Sequence, residues 1–123
     1  MISVENAVLI HEVLIDKFGG TKGIRDLNLL ESAIFRPFQT FDSCDLYATS
    51  TEKAAALIES ILVNHPFIDG NKRTGYVLMR LLLMQEGLDV FASEDEKYGF
   101  VIGIAKGQLD YNEIVNWLNA KVK

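Results

Sequence analysis

The chain has 123 residues, 49% hydrophobic and 24% charged, with a formal net charge of −5. That length suits one domain with one core, and the balance is ordinary for a soluble globular protein. The acidic charge excludes a general attraction to nucleic acid, so no direct nucleic-acid binding is expected.

A single cysteine, Cys44, rules out an internal disulfide and a cysteine-based zinc site, and it reads as a small buried or half-buried apolar residue. The opening Met1-Ile2-Ser3-Val4-Glu5 lacks the cationic start and apolar core of a signal peptide. No apolar run approaches the roughly 20 residues of a membrane helix. The expectation is a cytoplasmic chain, without a membrane segment, folded as one domain over residues 1–123.

Ser3 opens a first helix whose apolar positions Val4, Ala7, Val8, Ile10, Val13 and Leu14 fall at helical spacing, and Gly19-Gly20 stops it. Asp26 caps a short second helix carrying Leu27, Leu29, Leu30, Ala33 and Ile34, which ends before Pro37. Arg36 to Thr51 is the least regular stretch and reads as a loop or short flap. A third helix runs from about Thr51 to Asn64, where Pro66 denies helical geometry to His65.

A fourth helix starts near Gly70-Asn71 and ends at Gly87. Its wide apolar surface, with Val77, Leu78 and Leu81 to Met84, predicts a central place in the core. Asp89-Val90-Phe91 reads as a brief extended piece. Ser93 with Glu96, and Asp110 with Glu113, have capping-box spacing and open two last helices. Six helices and no substantial strand predict an all-α domain, a six-helix bundle with a short loop or flap ahead of the richest segment.

That segment is His65-Pro-Phe-Ile-Asp-Gly-Asn-Lys-Arg73. His65, in a loop beside a helix N-terminus, suits a general base or acid near neutral pH. A histidine hydrogen-bonded into the core is the usual alternative, and here the neighbours favour the base. His11 lies within the first helix without such neighbours and reads as the core histidine. Asp69 either caps the free N–H groups of the fourth helix or holds Mg²⁺, which needs only one or two carboxylates beside phosphate oxygens.

Gly70 permits close backbone approach, and Gly70-Asn71-Lys72 presents N–H groups at the positive end of a helix dipole, an anion site. Lys72 and Arg73 add full charges where the dipole already disfavours cations, and a bound phosphate offsets that cost. Phe67 reads as an inward anchor for the loop. Arg80 either extends the basic face or forms a surface salt bridge. Neither a P-loop nor a protein-kinase catalytic loop is present, so a nucleotide would sit on a helix N-terminus.

The nine residues resemble the motif of the Fic/Doc superfamily, and most closely its Doc (death-on-curing) branch. Fic enzymes show His-x-Phe-x-Asp/Glu-Gly-Asn-Gly-Arg; Asn71-Lys72-Arg73 looks like the Doc form, with Lys72 in place of the second glycine. Gly19-Gly20, Ile24-Arg25-Asp26, Leu29-Leu30-Glu31-Ser32-Ala33 and Glu52-Lys53-Ala54-Ala55 extend the likeness over nearly the whole chain. One departure is Gly70, the Fic-like choice where some Doc motifs carry alanine.

The resemblance implies that His65 is catalytic and deprotonates a target hydroxyl. Asp69 would hold Mg²⁺, and Gly70, Asn71, Lys72 and Arg73 would bind the phosphates of ATP. It further implies a toxin kinase that moves the γ-phosphate of ATP to a Ser or Thr hydroxyl of a cellular protein, with a translation elongation factor as the natural guess. The self-inhibitory Ser/Thr-x-x-x-Glu-Gly/Asn helix of some Fic proteins has no match here, which agrees with silencing in trans by an antitoxin. The rivals are AMP transfer to a protein hydroxyl and a non-catalytic binding module. A metal-dependent nuclease is disfavoured by the net charge and the lone candidate carboxylate.

Overall fold

A computed structural model describes residues 2–123. Among the described residues six α-helices form: α1 (Val4–Phe18), α2 (Leu27–Phe35), α3 (Ser50–Asn64), α4 (Asn71–Met84), α5 (Glu94–Ala105) and α6 (Tyr111–Lys121). The fold is all-α. Among the described residues the only strands are the two-residue β1 (Thr40–Phe41) and β2 (Cys44–Asp45).

Local signals start most of these helices. Ser3, Asp26 and Thr49 each accept a backbone N–H from three residues ahead, of Asn6, Leu29 and Glu52. Both capping boxes form as the spacing predicts, Ser93 with Glu96 and Asp110 with Glu113. Each cap satisfies donors that a helix start would otherwise leave unpaired.

The centre of the core is α3, not α4. Ala54 to Ile58 and Ser60 to Leu62 are all buried, and α3 packs against α2, α4, α5 and α6. Small alanines on one stretch and branched residues on the other let neighbours approach from several sides. Only one face of α4 is fully buried, through Thr74, Gly75, Leu78, Met79, Leu82 and Leu83. Val77 and Leu81 are half-buried and Met84 is exposed. Gly75 sets the α3–α4 distance, because a Cβ there would lie 2.4 Å from Leu62 Cδ1 and 3.0 Å from Ile61 Cγ2.

The irregular stretch after α2 is a small antiparallel hairpin. Thr40 pairs with Asp45 and Phe41 with Cys44, across a turn in which Asp42 and Ser43 take φ of 53° and 63°. Two left-handed residues in a row match the twist that two-residue hairpins need. The hairpin stands off the body, so Cys44 is exposed and not buried as its residue type suggests. Arg36 ties the segment down, donating to the Tyr47 hydroxyl at 2.9 Å and to Glu59 Oε1 at 2.9 Å on α3.

Asp89 to Phe91 is extended, as expected, and Val90 bridges Val122 near the C-terminus. Arg80 resolves its two alternatives in favour of an ion pair: Nε and Nη2 donate to the two Asp89 carboxylate oxygens at 2.8 and 2.7 Å. Its planar fork is thereby occupied and adds nothing to the basic face.

Candidate active site

The turn between α3 and α4 is built by backbone hydrogen bonds from distant segments. His65 ends α3 in the left-handed conformation, φ 50° and ψ 61°, the helical alternative being denied by Pro66. Arg25 Nε and Nη2 donate to the carbonyls of His65 and Asn64, both at 2.6 Å. Backbone N–H groups of Arg25 and Asp26 donate to the Pro66 carbonyl, and Ile68 N–H donates to Gly23. The His65 imidazole is exposed and has no hydrogen-bond partner among the described residues.

Phe67 is the inward anchor expected of it, 1% exposed. Its backbone is clasped by Asn71: Phe67 N–H donates to Asn71 Oδ1, and Asn71 Nδ2 donates to the Phe67 carbonyl, each at 3.0 Å. The amide of Asn71 is therefore spent on the loop. Its backbone N–H remains at the helix start, the group through which the sequence places Asn71 at an anion site.

Asp69 is not a helix cap. Gly70 holds the N-cap position of α4, and no side chain covers the first-turn N–H groups. The Asp69 carboxylate instead accepts Thr21 N–H at Oδ2 (3.0 Å) and Gly70 N–H at Oδ1 (2.9 Å). These two bonds, the Thr21 one first, hold its carboxyl below the usual carboxylate value, so it is ionised at neutral pH.

Gly70 lines the cleft and also suits the backbone and the packing behind it. Its φ is +72°, and a Cβ would meet Ile15 Cδ1 at 3.0 Å, on the side facing α1. Gly20 serves the carboxylate: its φ is +119°, and a Cβ would stand 2.8 Å from Asp69 Oδ2.

The α4 start carries Lys72 and Arg73, both exposed and neither in an ion pair among the described residues. Arg73 stacks on Phe18, its guanidinium carbon 4.2 Å from the ring centre. His65, Asp69, Gly70, Asn71, Lys72 and Arg73 all line one cleft of about 640 Å³. The structure thus brings together every candidate residue of the motif.

The opposite wall escaped sequence reasoning. It comes from α5, with Glu94, Lys97, Tyr98, Val101 and Ile102, and from Tyr76 and Val77 one turn along α4. Nothing in the residue types at these positions marks them as cleft residues and not ordinary helix surface. Burial pushes the Tyr76 phenol up from its ordinary value. Thr21 and Arg25 were equally invisible as site residues, since both act by hydrogen bonds to backbone or carboxylate from far along the chain. His11 is a core histidine, as predicted, but it does have the motif for company: Nε2 lies 2.8 Å from the Asp69 carbonyl.

No group of three or more His, Cys, Asp or Glu side chains is poised for a metal among the described residues. The donor set, one ionised and exposed carboxylate beside a cationic helix start, fits a hard divalent cation that takes its other ligands from phosphate and water. Chemically, the cleft combines an exposed imidazole, one carboxylate and an uncapped helix N-terminus with two unpaired cations. Such a combination is able to hold an anion and to place a proton acceptor beside it.

A Fic/DOC family model matches residues 1–83, which include the whole turn and most of α4 but not α5. The chain is 40% identical to Toxin Doc of Mycolicibacterium smegmatis (strain ATCC 700084 / mc(2)155) over 78 residues, 63% of this chain and 60% of that protein. It is 28% identical to Protein kinase doc of Escherichia phage P1 over 117 residues, 95% of this chain and 91% of that protein. The matched region therefore spans less than two thirds of the mycobacterial relative's length.

Proposed function

The chain belongs to the Fic/DOC family, and from that premise we propose that it is a Doc-like toxin kinase, moving the γ-phosphate of ATP to a Ser or Thr hydroxyl of a cellular protein. The observation that carries this reading is the pairing of an unengaged His65 imidazole with the uncapped, doubly cationic start of α4 in one cleft. His65 takes the proton of the target hydroxyl as its oxygen bonds the γ-phosphorus and the bond to the β-phosphate oxygen breaks, releasing ADP. Backbone N–H groups of Asn71, Lys72 and Arg73, with the two side-chain cations, hold the phosphates.

Asp69 is the residue that would hold Mg²⁺, whose charge would offset that of the phosphates. The protein's own contribution is chiefly positioning and charge compensation. Lys72 favours γ- over α-phosphate transfer: where Fic motifs have glycine it fills space and adds charge, so the nucleotide seats differently. The phage P1 relative's printed name, a protein kinase, supports the same choice.

The mycobacterial relative's name, a toxin, supports a partner antitoxin that silences the activity in trans. A translation elongation factor is the proposed target and the cytoplasm the proposed location; no helix among the described residues is long and apolar enough to cross a membrane. The test is incubation with cell extract and ATP labelled separately at the α- and γ-phosphates. Protein label from the γ-position is expected. Label from the α-position alone would replace the kinase by an AMP transferase, and label from neither would leave a binding module.

A further inference from the structure

We propose that His11 is a positioning residue for the nucleotide site, fixing the Asp69–Gly70 peptide and through it the Asp69 carboxylate. The inference rests on reading Asp69 as the magnesium-holding residue. His11 is 1% exposed, deep on α1 and 58 residues from Asp69 in sequence. A carbonyl oxygen only accepts, so the 2.8 Å contact makes Nε2 the protonated nitrogen and the Asp69 carbonyl its acceptor.

The other end of the same peptide is also committed. Gly70 N–H donates to Asp69 Oδ1 at 2.9 Å. One peptide plane is therefore held at its oxygen by α1 and at its nitrogen by the carboxylate it orients. Turning that plane would break both bonds at once and swing Oδ1 away from its donor. The ring itself has little freedom to follow: it stacks on Phe67 at 4.0 Å between centroids with 6° between planes.

The loop after α1 completes the grip from the side-chain end, with Thr21 N–H on Oδ2. Asp69 is thus held by α1 at its carbonyl and by the α1–α2 loop at its carboxylate. A buried N–H that serves packing alone needs only some acceptor. This one is spent on the residue whose orientation decides where the cation sits.

The test uses the whole protein. In the nitrogen-15 spectrum of the wild type, His11 Nε2 is expected to carry a proton in slow exchange with solvent; a bare Nε2 overturns the proposal. His11→Phe keeps a ring against Phe67 and loses the donor, whereas His11→Gln keeps an N–H near the Nε2 position. Binding of a non-hydrolysable ATP analogue is then followed by calorimetry across magnesium concentrations. His11→Phe is expected to raise the magnesium requirement roughly tenfold with metal-free nucleotide affinity unchanged, the effect of one lost hydrogen bond, and His11→Gln to restore most of it.

Wild-type magnesium dependence in a folded His11→Phe protein overturns the proposal, as does an equal loss of affinity with and without the ion. If His11→Phe does not fold, a His11→Gln protein that has lost its magnesium dependence overturns it and one that retains it supports it. Wild-type binding that ignores magnesium would instead sink the reading of Asp69. The exchange rate of the Gly70 amide then isolates the His11 effect: faster in His11→Phe and near wild type in His11→Gln supports the proposal, and unchanged in His11→Phe overturns it.

Discussion

Arg25 Nε donates to the carbonyl of His65 at 2.6 Å across 40 residues of sequence, and the same guanidinium holds the Asn64 carbonyl beside it. A cation at a helix C-terminus satisfies orphan carbonyls and complements the negative end of the dipole. Here it also sets the backbone that aims the imidazole. Arg25→Met keeps the aliphatic stem and removes the donors. Unfolding in urea should show a loss of about 1–2 kcal/mol, and γ-phosphate transfer should fall at least roughly tenfold while nucleotide affinity barely changes.

His65 itself carries little of the fold, since its side chain is exposed and unpaired. Asn tolerates the left-handed backbone well, so His65→Asn should stay within roughly 0.5 kcal/mol of wild-type stability. Phosphate transfer should drop by a factor of about 10² or more, with nucleotide binding nearly intact and toxicity in cells abolished. A toxic His65→Asn protein would mean that catalysis is not the active principle.

Lys72→Gly restores the Fic pattern at the one position where the motif departs from it. Parallel assays with α- and γ-labelled ATP should show γ-transfer reduced at least roughly tenfold, the effect of removing a cation from a phosphate site. Undiminished γ-transfer would remove the lysine from the argument about which phosphate moves.

Gly75→Ala tests the helix contact on which the site stands. In an exposed helix interior this change is stabilising by up to about 1 kcal/mol. At Gly75 the new methyl would overlap Leu62 Cδ1 at 2.4 Å, with Ile61 Cγ2 at 3.0 Å. Overpacking of that kind costs about 1–3 kcal/mol, so denaturant unfolding should report a loss where propensity alone gives a gain.

Acid should weaken the attachment of α5 to α6 through Glu96. The ammonium of Lys121 chiefly, and then the Ser93 backbone N–H, hold the Glu96 carboxyl at about 2, against an ordinary value of 4.5. A depressed carboxyl adds stability above its unfolded value and loses it as pH falls through the folded one. Thermal melts should therefore show this contribution whole above about pH 4.5 and gone by about pH 2. Glu96→Gln should flatten the melting temperature across that window, and an unchanged acid slope in the variant would sink the assignment.

Much of the fold was legible because its signals close within one helical turn. Ser3 with Asn6, Asp26 with Leu29, and the two capping boxes are rings of a few residues, so spacing alone specifies them. The motif was legible for the same reason. Its base, carboxylate and cations sit within nine residues, and Pro66 and Gly70 fix the turn that gathers them into one cleft.

What a given side chain does inside that motif was less legible. The sequence places the Asn71 backbone N–H at the helix start but does not show that its side-chain amide closes the loop on Phe67. Gly70 lines the cleft, and its missing Cβ also makes room for Ile15 of α1. Both outcomes depend on which way a residue points once α1 has docked, and a residue's type does not carry that direction.

The sequence by itself determined the helices, their ends and the chemical groups of the site, since each is encoded within three to nine consecutive residues. Only the tertiary structure decided who holds those groups in place. Arg25 on His65 and Thr21 and His11 on Asp69 act across sequence separations of 40, 48 and 58 residues, and α5 meets the motif only across the cleft. Such contacts follow from how closely and at what rotation the helices pack. Gly75 and the alanines of α3 govern that through summed volume, a property of the whole core and not of any one stretch of chain.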